Sequence, residues 1–232
     1  MRTIAIDAMG GENAPEAIIE AVLKAKGEMP DTKFLLFGDK EQLRKLIPAD
    51  QINDQLGVVS TTEIIEDEDE PVRAIRKKKD SSMVVAANYV KEGKADALLS
   101  LGNTGALLAC GIFIIGRIKG IVRPGLMPTL PAQNSDDGFN MVDVGANAKS
   151  KPEYLLQWAQ MASYYAEKIR GIENPRISLL NVGAESDKGD DVHQQAYQLL
   201  KDSSLNFQGN IEGNELLLGN ADVVVTDGFT GN

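Results

Sequence analysis

Apolar and polar positions alternate in blocks along this chain. Short β-rich apolar runs are each followed by a polar, glycine-bearing loop and then by a stretch with helical spacing. The runs fall at Thr3 to Ile6, Phe34 to Phe37, Val58–Val59, Ala95 to Ser100, Phe139 to Val144, Arg176 to Val182, Asn206 to Gln208 and Ala221 to Thr226. Helices are predicted from about Pro15 to Lys26, after Gly38–Asp39 through Ile47, near Pro71 to Lys78, from the cap at Asp80–Ser81–Ser82 to Glu92, from Gly105 to Gly116, from Pro152 to Arg170, and from the GAESDKGD loop to Leu200. The stretch from Pro124 to Asp137, rich in Pro, Asn and Asp, is the most loop-like. Strands alternating with 10–15-residue helices predict βαβ units. The expectation is therefore an α/β fold, three layers α/β/α around a mainly parallel sheet, in a single domain spanning 1–232.

Ligands of such sheets sit beyond the carboxyl ends of the strands. There the sequence collects five similar loops: IDAMGGENAP, LSLGNTGA, VDVGANAKSKP, LLNVGAESDKGD and VTDGFTGN. Each carries glycine with Asn, Asp, Ser, Thr or Lys. A strand feeding a helix leaves the first backbone N–H groups of that helix unpaired and receptive to an anion. Taken singly, these loops read equally well as tight turns; five on one edge point to a shared polar cleft for an anionic ligand. The dinucleotide fingerprint Gly-x-Gly-x-x-Gly is absent after the first strand, as is the P-loop ending Gly-Lys-Ser/Thr.

Composition narrows the classes. The 232 residues carry a net charge of −10, with 5% aromatics, which argues against a nucleic-acid binder that needs a basic face or stacking platforms. A single cysteine permits no internal disulfide, and a reducing cytoplasm is the simplest compartment. The longest apolar run, about Ala106 to Ile115, is too short to span a bilayer. Cys110 reads as a buried small hydrophobe, Trp158 as core, and His193 as a surface histidine without a nucleophile elbow. No spacing resembles a metal site.

Motifs in register carry a resemblance over essentially the whole chain: DAMGG, KKDSSM at 78–83, GNTGALLA at 102–109, DVGAN followed by KPE, LLNVG followed by KG, and DGFTGN. Together they resemble the PlsX-type phosphate acyltransferases of bacterial phospholipid synthesis, whose fold is similar to that of phosphotransacetylases and the isocitrate dehydrogenase group. The resemblance implies transfer of a fatty acyl group from acyl carrier protein to inorganic phosphate, without a cofactor. It also implies a homodimer, and a cytoplasmic protein with peripheral membrane contact. It implies further that members run on for roughly a hundred residues past Asn232, so a C-terminal portion is expected to be missing here. LPAQNSDDG and GAESDKG depart from the family's pattern. Phosphotransacetylase action on acyl-CoA and non-catalytic anion binding are the alternatives.

Phosphate attacking a thioester asks chiefly for position and charge stabilisation. The candidate catalytic residues are Asn103, Lys188, Asn147 and Asp227. Substrate binding is assigned to Asp7, Gly10, Gly11, Ser81, Ser82, Gly102, Thr104, Gly105, Lys151, Glu185, Gly228 and Asn232. Each has a plainer reading: Asn103 and Thr104 as helix caps, Asn147 as a turn residue, Asp7 and Asp227 as Asx turns, and Lys151 and Lys188 as solvated lysines. Arg76, Lys77 and Lys78 lie in the only dense basic patch, which reads either as docking for an acidic carrier protein or as a solvated face balancing the acidic run 66–70.

Overall fold

The computed structural model describes residues 1–133 and 135–232. The chain divides into two compact units, Met1–Arg117 and Ile118–Asn232, each with its own sheet. The expectation of a mainly parallel α/β fold holds. In place of one continuous sheet there are two, because the strands up to Leu99 pair only among themselves, as do those from Thr129 onward.

The first unit runs β1 (Arg2–Asp7), α1 (Glu16–Glu28), β2 (Thr32–Gly38), α2 (Lys40–Leu46), β3 (Leu56–Ser60), α3 (Pro71–Lys77), α4 (Ser82–Lys91), β4 (Ala97–Leu99) and α5 (Thr104–Cys110), which widens into a π-helical turn over Gly111–Ile115. Its four strands are all parallel, in the order β3-β2-β1-β4. The period-two pattern sorts the side chains. Ile6, Phe34 and Leu36 pack with Ile18, Ile19 and Val22 of α1 and Leu43 of α2, whereas Ala5 and Phe37 pack with Ala86 of α4 on the opposite face. Caps set the helix starts: Asp39 accepts from Gln42 N–H, and Glu70 accepts from Val72 and Arg73 N–H just ahead of Pro71. Cys110 is fully buried, and burial, then the charge of Asp7, pushes its thiol up to about 12, which leaves it an inert core residue as expected. The helix that holds it is less buried than its apolar sequence predicts, since Phe113 is 57% exposed.

The second unit runs β5 (Thr129–Ala132), β6 (Ser135–Val142), α6 (Pro152–Lys168), β7 (Ile177–Leu180), α7 (Asp191–Lys201), β8 (Phe207–Ile211), a 3₁₀ stretch (Gly213–Leu218) and β9 (Val223–Val225). The strand order is β5-β6-β9-β7-β8, parallel except for the β5–β6 pair. The stretch read as loop-like thus contains a hairpin, while Asn134 lies outside the described residues. Proline hid the strand: Pro131 removes a ladder donor, which is tolerated because β5 is an edge strand. Trp158 is the centre of this core, as predicted. It is fully buried among Leu155, Ala159, Ala162, Leu179, Val223 and Val225, with its indole N–H donating to the Arg123 carbonyl at 2.9 Å.

Candidate functional site

Within each unit the glycine loops leave the carboxyl ends of neighbouring parallel strands, as the alternation predicted. In the first unit the loops after β1 and β4 meet backbone to backbone. A Cβ on Gly10 would lie 2.5 Å from Asp7 Oδ2 and 3.0 Å from the Gly102 nitrogen, so only glycine fits. Asp7, 2% exposed, accepts from the Ser100 hydroxyl at 2.7 Å and from Met9 N–H at 3.2 Å, and the Ser100 oxygen accepts in turn from Gly102 N–H at 3.1 Å. Asp7 therefore holds these two loops together, through Met9 on its own side and through Ser100 on the other. Ser100, which ties both loops to Asp7, was not singled out from the sequence. Nothing in its motif marks a serine that bonds a carboxylate 93 positions away.

The opening turn of α5 answers the reading of Asn103 as a free donor. Its Oδ1 caps the helix by accepting from Ala106 N–H at 2.9 Å. Its Nδ2 reaches the carbonyls of Glu66, Asp67 and Asp69 at 3.2, 3.1 and 3.1 Å. Both ends of the carboxamide are thus occupied in binding the acidic loop to α5, a structural role. Thr104 stays exposed at the start of the helix. We expect Asn103→Ala to lower stability by about 1–3 kcal/mol, one lost cap plus the amide bonds. Asn103→Asp, which keeps the cap and loses the amide donor, should fall between in thermal melts. A melting temperature unchanged in both would contradict this bracing role.

Ser81 and Ser82, 0% and 1% exposed, are sealed inside. The Ser81 hydroxyl caps its own helix through Val84 N–H at 3.4 Å, and Ser82 N–H donates to the Glu63 carbonyl at 3.2 Å. The start of α4 is therefore a closed cap with no room for an anion. In the basic patch, Lys78 is tied to Asp69 and to the Ile64 carbonyl, and this lysine, then the Glu66 N–H, holds the Asp69 carboxyl below the usual carboxylate range. Arg73, Arg76, Lys77 and Lys79 stay exposed. The docking expectation thus loses Lys78 and keeps Arg76 and Lys77.

The second unit gathers three loops, 143–151 after β6, 181–190 after β7 and 226–232 after β9, on one edge. Asp143, 0% exposed, is their hub. Its Oδ1 accepts from Leu126 and Ala146 N–H at 2.9 and 3.1 Å; its Oδ2 accepts from Asn147 N–H and Nδ2 at 2.8 and 3.0 Å. Asn147 Nδ2 also reaches the Pro124 carbonyl at 2.8 Å, so this carboxamide too braces a loop instead of presenting a donor. Gly228 lies directly on this hub, where a Cβ would come within 2.5 Å of both Asp143 Oδ2 and the Asn147 carbonyl. The Asn232 side chain lies over Gly145. DVGAN contains Asp143, which was not singled out from the sequence; its burial and the four hydrogen bonds it accepts reveal its weight.

Asp227 organises its own turn, as its plainer reading had it. Its Oδ1 accepts from Phe229 and Thr230 N–H at 2.9 and 3.1 Å, and its Oδ2 from the Thr230 hydroxyl at 2.6 Å. Lys151 precedes Pro152 at the start of α6, exposed and with no side-chain cap bond. Lys188 differs from the other candidates. Its loop is pinned by buried Asn181, whose Nδ2 donates to the Lys188 carbonyl at 3.0 Å. Its side chain folds over Gly183 and stands 4.0 Å from Glu185, with 47% of the side chain exposed. A cavity of about 530 Å³ opens beside this loop, walled by Met141, Leu180, Asn181, Val182, Gly189 and His193.

His193 is a correction. Read as a surface residue, it is 8% exposed, its ring held between Asp190 Oδ1 at 2.7 Å from Nδ1 and Asp227 Oδ2 at 3.4 Å from Nε2. Asp190 also caps α7, and the His193 backbone N–H, then its ring, keeps that carboxyl below the usual range. Among the described residues no group of three or more His, Cys, Asp or Glu side chains is gathered for a metal ion, and no helix is long and apolar enough to cross a membrane.

Comparison with known proteins fits this geometry. The model of the fatty acid synthesis protein family matches residues 2–232. Proteins named phosphate acyltransferase from Lactobacillus helveticus and Lactobacillus acidophilus are each 91% identical over all 232 residues, which span 70% of their length, and one from Ligilactobacillus salivarius is 55% identical. Among solved structures, a phosphotransacetylase from Streptococcus pyogenes matches 100% of this chain and 79% of its own at a TM-score of 0.66, and a branched-chain phosphotransacylase from Enterococcus faecalis matches 99% and 80% at 0.60. At 20% and 18% identity these two share the fold. With near-identical relatives bearing an acyltransferase name and a family match from end to end, this chain is an acyltransferase and belongs to the fatty acid synthesis protein family.

Proposed function

We propose that the chain moves a fatty acyl group from the thioester of acyl carrier protein to inorganic phosphate, releasing acyl phosphate and the carrier thiol. A phosphate oxygen attacks the thioester carbonyl, the C–S bond breaks, and the sulfur leaves as a thiolate that takes a proton. Phosphate is partly dianionic at neutral pH and a thiolate leaves readily, so little acid–base help is needed. What must be supplied is a preorganised positive field for the phosphate and for the developing oxyanion. Lys188 supports this reading most directly: a half-exposed cation at the carboxyl end of β7, on a loop pinned by a buried asparagine, beside a cavity large enough for a small acyl thioester head. Asn103, Asn147 and Asp227 then act as the frame of the loops, and Lys188 as the group that meets substrate.

The exposed cations Arg73, Arg76, Lys77 and Lys79 on and beside α3 support docking of an acidic carrier, since they stand out on a protein with a net charge of −10. The test is phosphate-dependent release of carrier thiol from long-chain acyl carrier protein, run beside short-chain acyl-coenzyme A. Preference for the carrier substrate is expected. Equal or better use of acyl-coenzyme A would overturn the carrier assignment, and no phosphate dependence would overturn the reaction.

A further inference from the structure

His193 is the one buried titratable side chain of the second unit's loop edge that this chemistry leaves without a task. We propose that it is a positioning residue, which clamps the loop carrying Lys188 to the turn 227–230 by standing between two carboxylates, hydrogen-bonded to Asp190 and in close polar contact with Asp227. This rests on the assignment of Lys188 to the phosphate.

The ring stands at the start of α7. Asp190 holds it on one side through Nδ1 at 2.7 Å, and the same Oδ1 accepts the His193 backbone N–H at 2.9 Å. Asp190 lies two residues after Lys188, across Gly189, so the ring is bonded to the very loop that presents the lysine. On its other side Nε2 stands 3.4 Å from Asp227 Oδ2, the oxygen that also takes the Thr230 hydroxyl. Carboxylates accept only, so the bond at Nδ1 takes a ring N–H as its donor. Asp227 in turn fixes Phe229 and Thr230 N–H. A continuous chain of close polar contacts thus runs from the Lys188 loop through Asp190, His193 and Asp227 into the turn that bears Gly228.

Placement supports the same conclusion. The ring forms part of the wall of two cavities, the one of about 530 Å³ beside Asn181 and Gly189 and another of about 390 Å³ lined by Lys149, Ser150, Asp227 and Phe229. It shares this position with Asp190 and Thr230, which also line both cavities. The charged groups facing it are Asp190 from its own helix start and Asp227 from the loop after β9, with Lys149 across the smaller cavity. A histidine kept only for packing would not need a carboxylate at each nitrogen.

The two contacts separate by substitution. His193→Gln places an amide donor near the Nε2 position, toward Asp227, whereas His193→Asn places one near Nδ1, toward Asp190, and abandons Asp227. In both variants the Asp190 cap of α7 persists through the backbone N–H. Hydrogen–deuterium exchange of the peptide covering 226–231, in the whole chain, reads the clamp directly. We expect His193→Asn to raise exchange there about tenfold while His193→Gln stays within about twofold of the unaltered chain, with kcat following the same order and the KM for phosphate little changed. Equal loss in both variants would make the ring a packing element, and unchanged exchange in both would remove the clamp; either overturns the proposal. Should the unaltered chain release no carrier thiol, the acyl-transfer reading falls, and the exchange comparison still decides His193.

Discussion

Replacing Lys188 by methionine is expected to lower phosphate-dependent turnover by about 10²–10³-fold while leaving the fold intact. A preorganised charge at a developing oxyanion or at a bound phosphate is worth about that much in rate. Its contribution to stability is small. Nearly half of the side chain is in solvent, and its 4.0 Å approach to Glu185 is a surface pair worth about 1 kcal/mol at most. Methionine keeps the unbranched stem that packs over Gly183, so the melting temperature should stay within about 2 °C, a shift matching less than 1 kcal/mol for a chain of this length. Lys188→Arg should recover part of the rate, because charge is restored but the planar fork replaces a compact ammonium. Turnover of Lys188→Met within about threefold of the unaltered chain, well short of the usual effect of such a group, would show that the lysine is merely solvated.

The second large effect concerns stability. Asp143→Asn is nearly isosteric, yet it places an NH₂ group where Oδ1 or Oδ2 now accepts, against two N–H donors on either side. One oxygen's pair of donors loses its acceptor inside a fully buried site. The expected loss is about 2–4 kcal/mol, since hydrogen bonds to a charged acceptor are worth about 1.5–3 kcal/mol each and an unsatisfied buried donor adds its desolvation cost. At this chain length that corresponds to a drop of about 5–12 °C in melting temperature. Loop 144–147 should lose protection from exchange first, since its N–H groups face the altered oxygens. Wild-type melting of Asp143→Asn would show that the loop edge does not depend on this carboxylate.

These expectations place the chemistry elsewhere than the motifs did. Asn103, Asn147 and Asp227 attracted attention because carboxamides and carboxylates among glycines suit anion binding. In the folded chain Asn103 and Asn147 spend their amides on neighbouring loops and Asp227 spends its oxygens on its own turn. Asn103 ties the acidic loop to α5 in the first unit, while Asn147 and Asp227 order loops on the edge of the second unit that carries Lys188. Lys188 and Lys151, which in sequence read equally well as solvated lysines, keep their charges exposed on this edge, Lys188 beside Glu185.

What the sequence by itself determined is local and periodic. The apolar runs Thr3 to Ile6 and Phe34 to Phe37 marked β1 and β2, and both faces of these strands are buried, Ile6 and Leu36 on one and Ala5 and Phe37 on the other. Asp39, Ser81 and Asp190 announced helix starts by their capping chemistry, and Leu155, Trp158 and Ala162 marked the buried stripe of α6. Such signals depend on neighbours a few residues away, so they are written in the chain. The family motifs added the chemistry of the ligand by resemblance. Only tertiary structure decided the rest. The division into two sheets, the strand hidden by Pro131, the sealing of Ser81 and Ser82, and the burial of His193 between Asp190 and Asp227 all rest on partners far along the chain or on pairing choices no periodicity encodes. Asp227 lies 34 positions beyond His193, and Ser100 lies 93 beyond Asp7. A hydrogen bond of that span stabilises only after the intervening chain has folded, which is why it leaves no local trace.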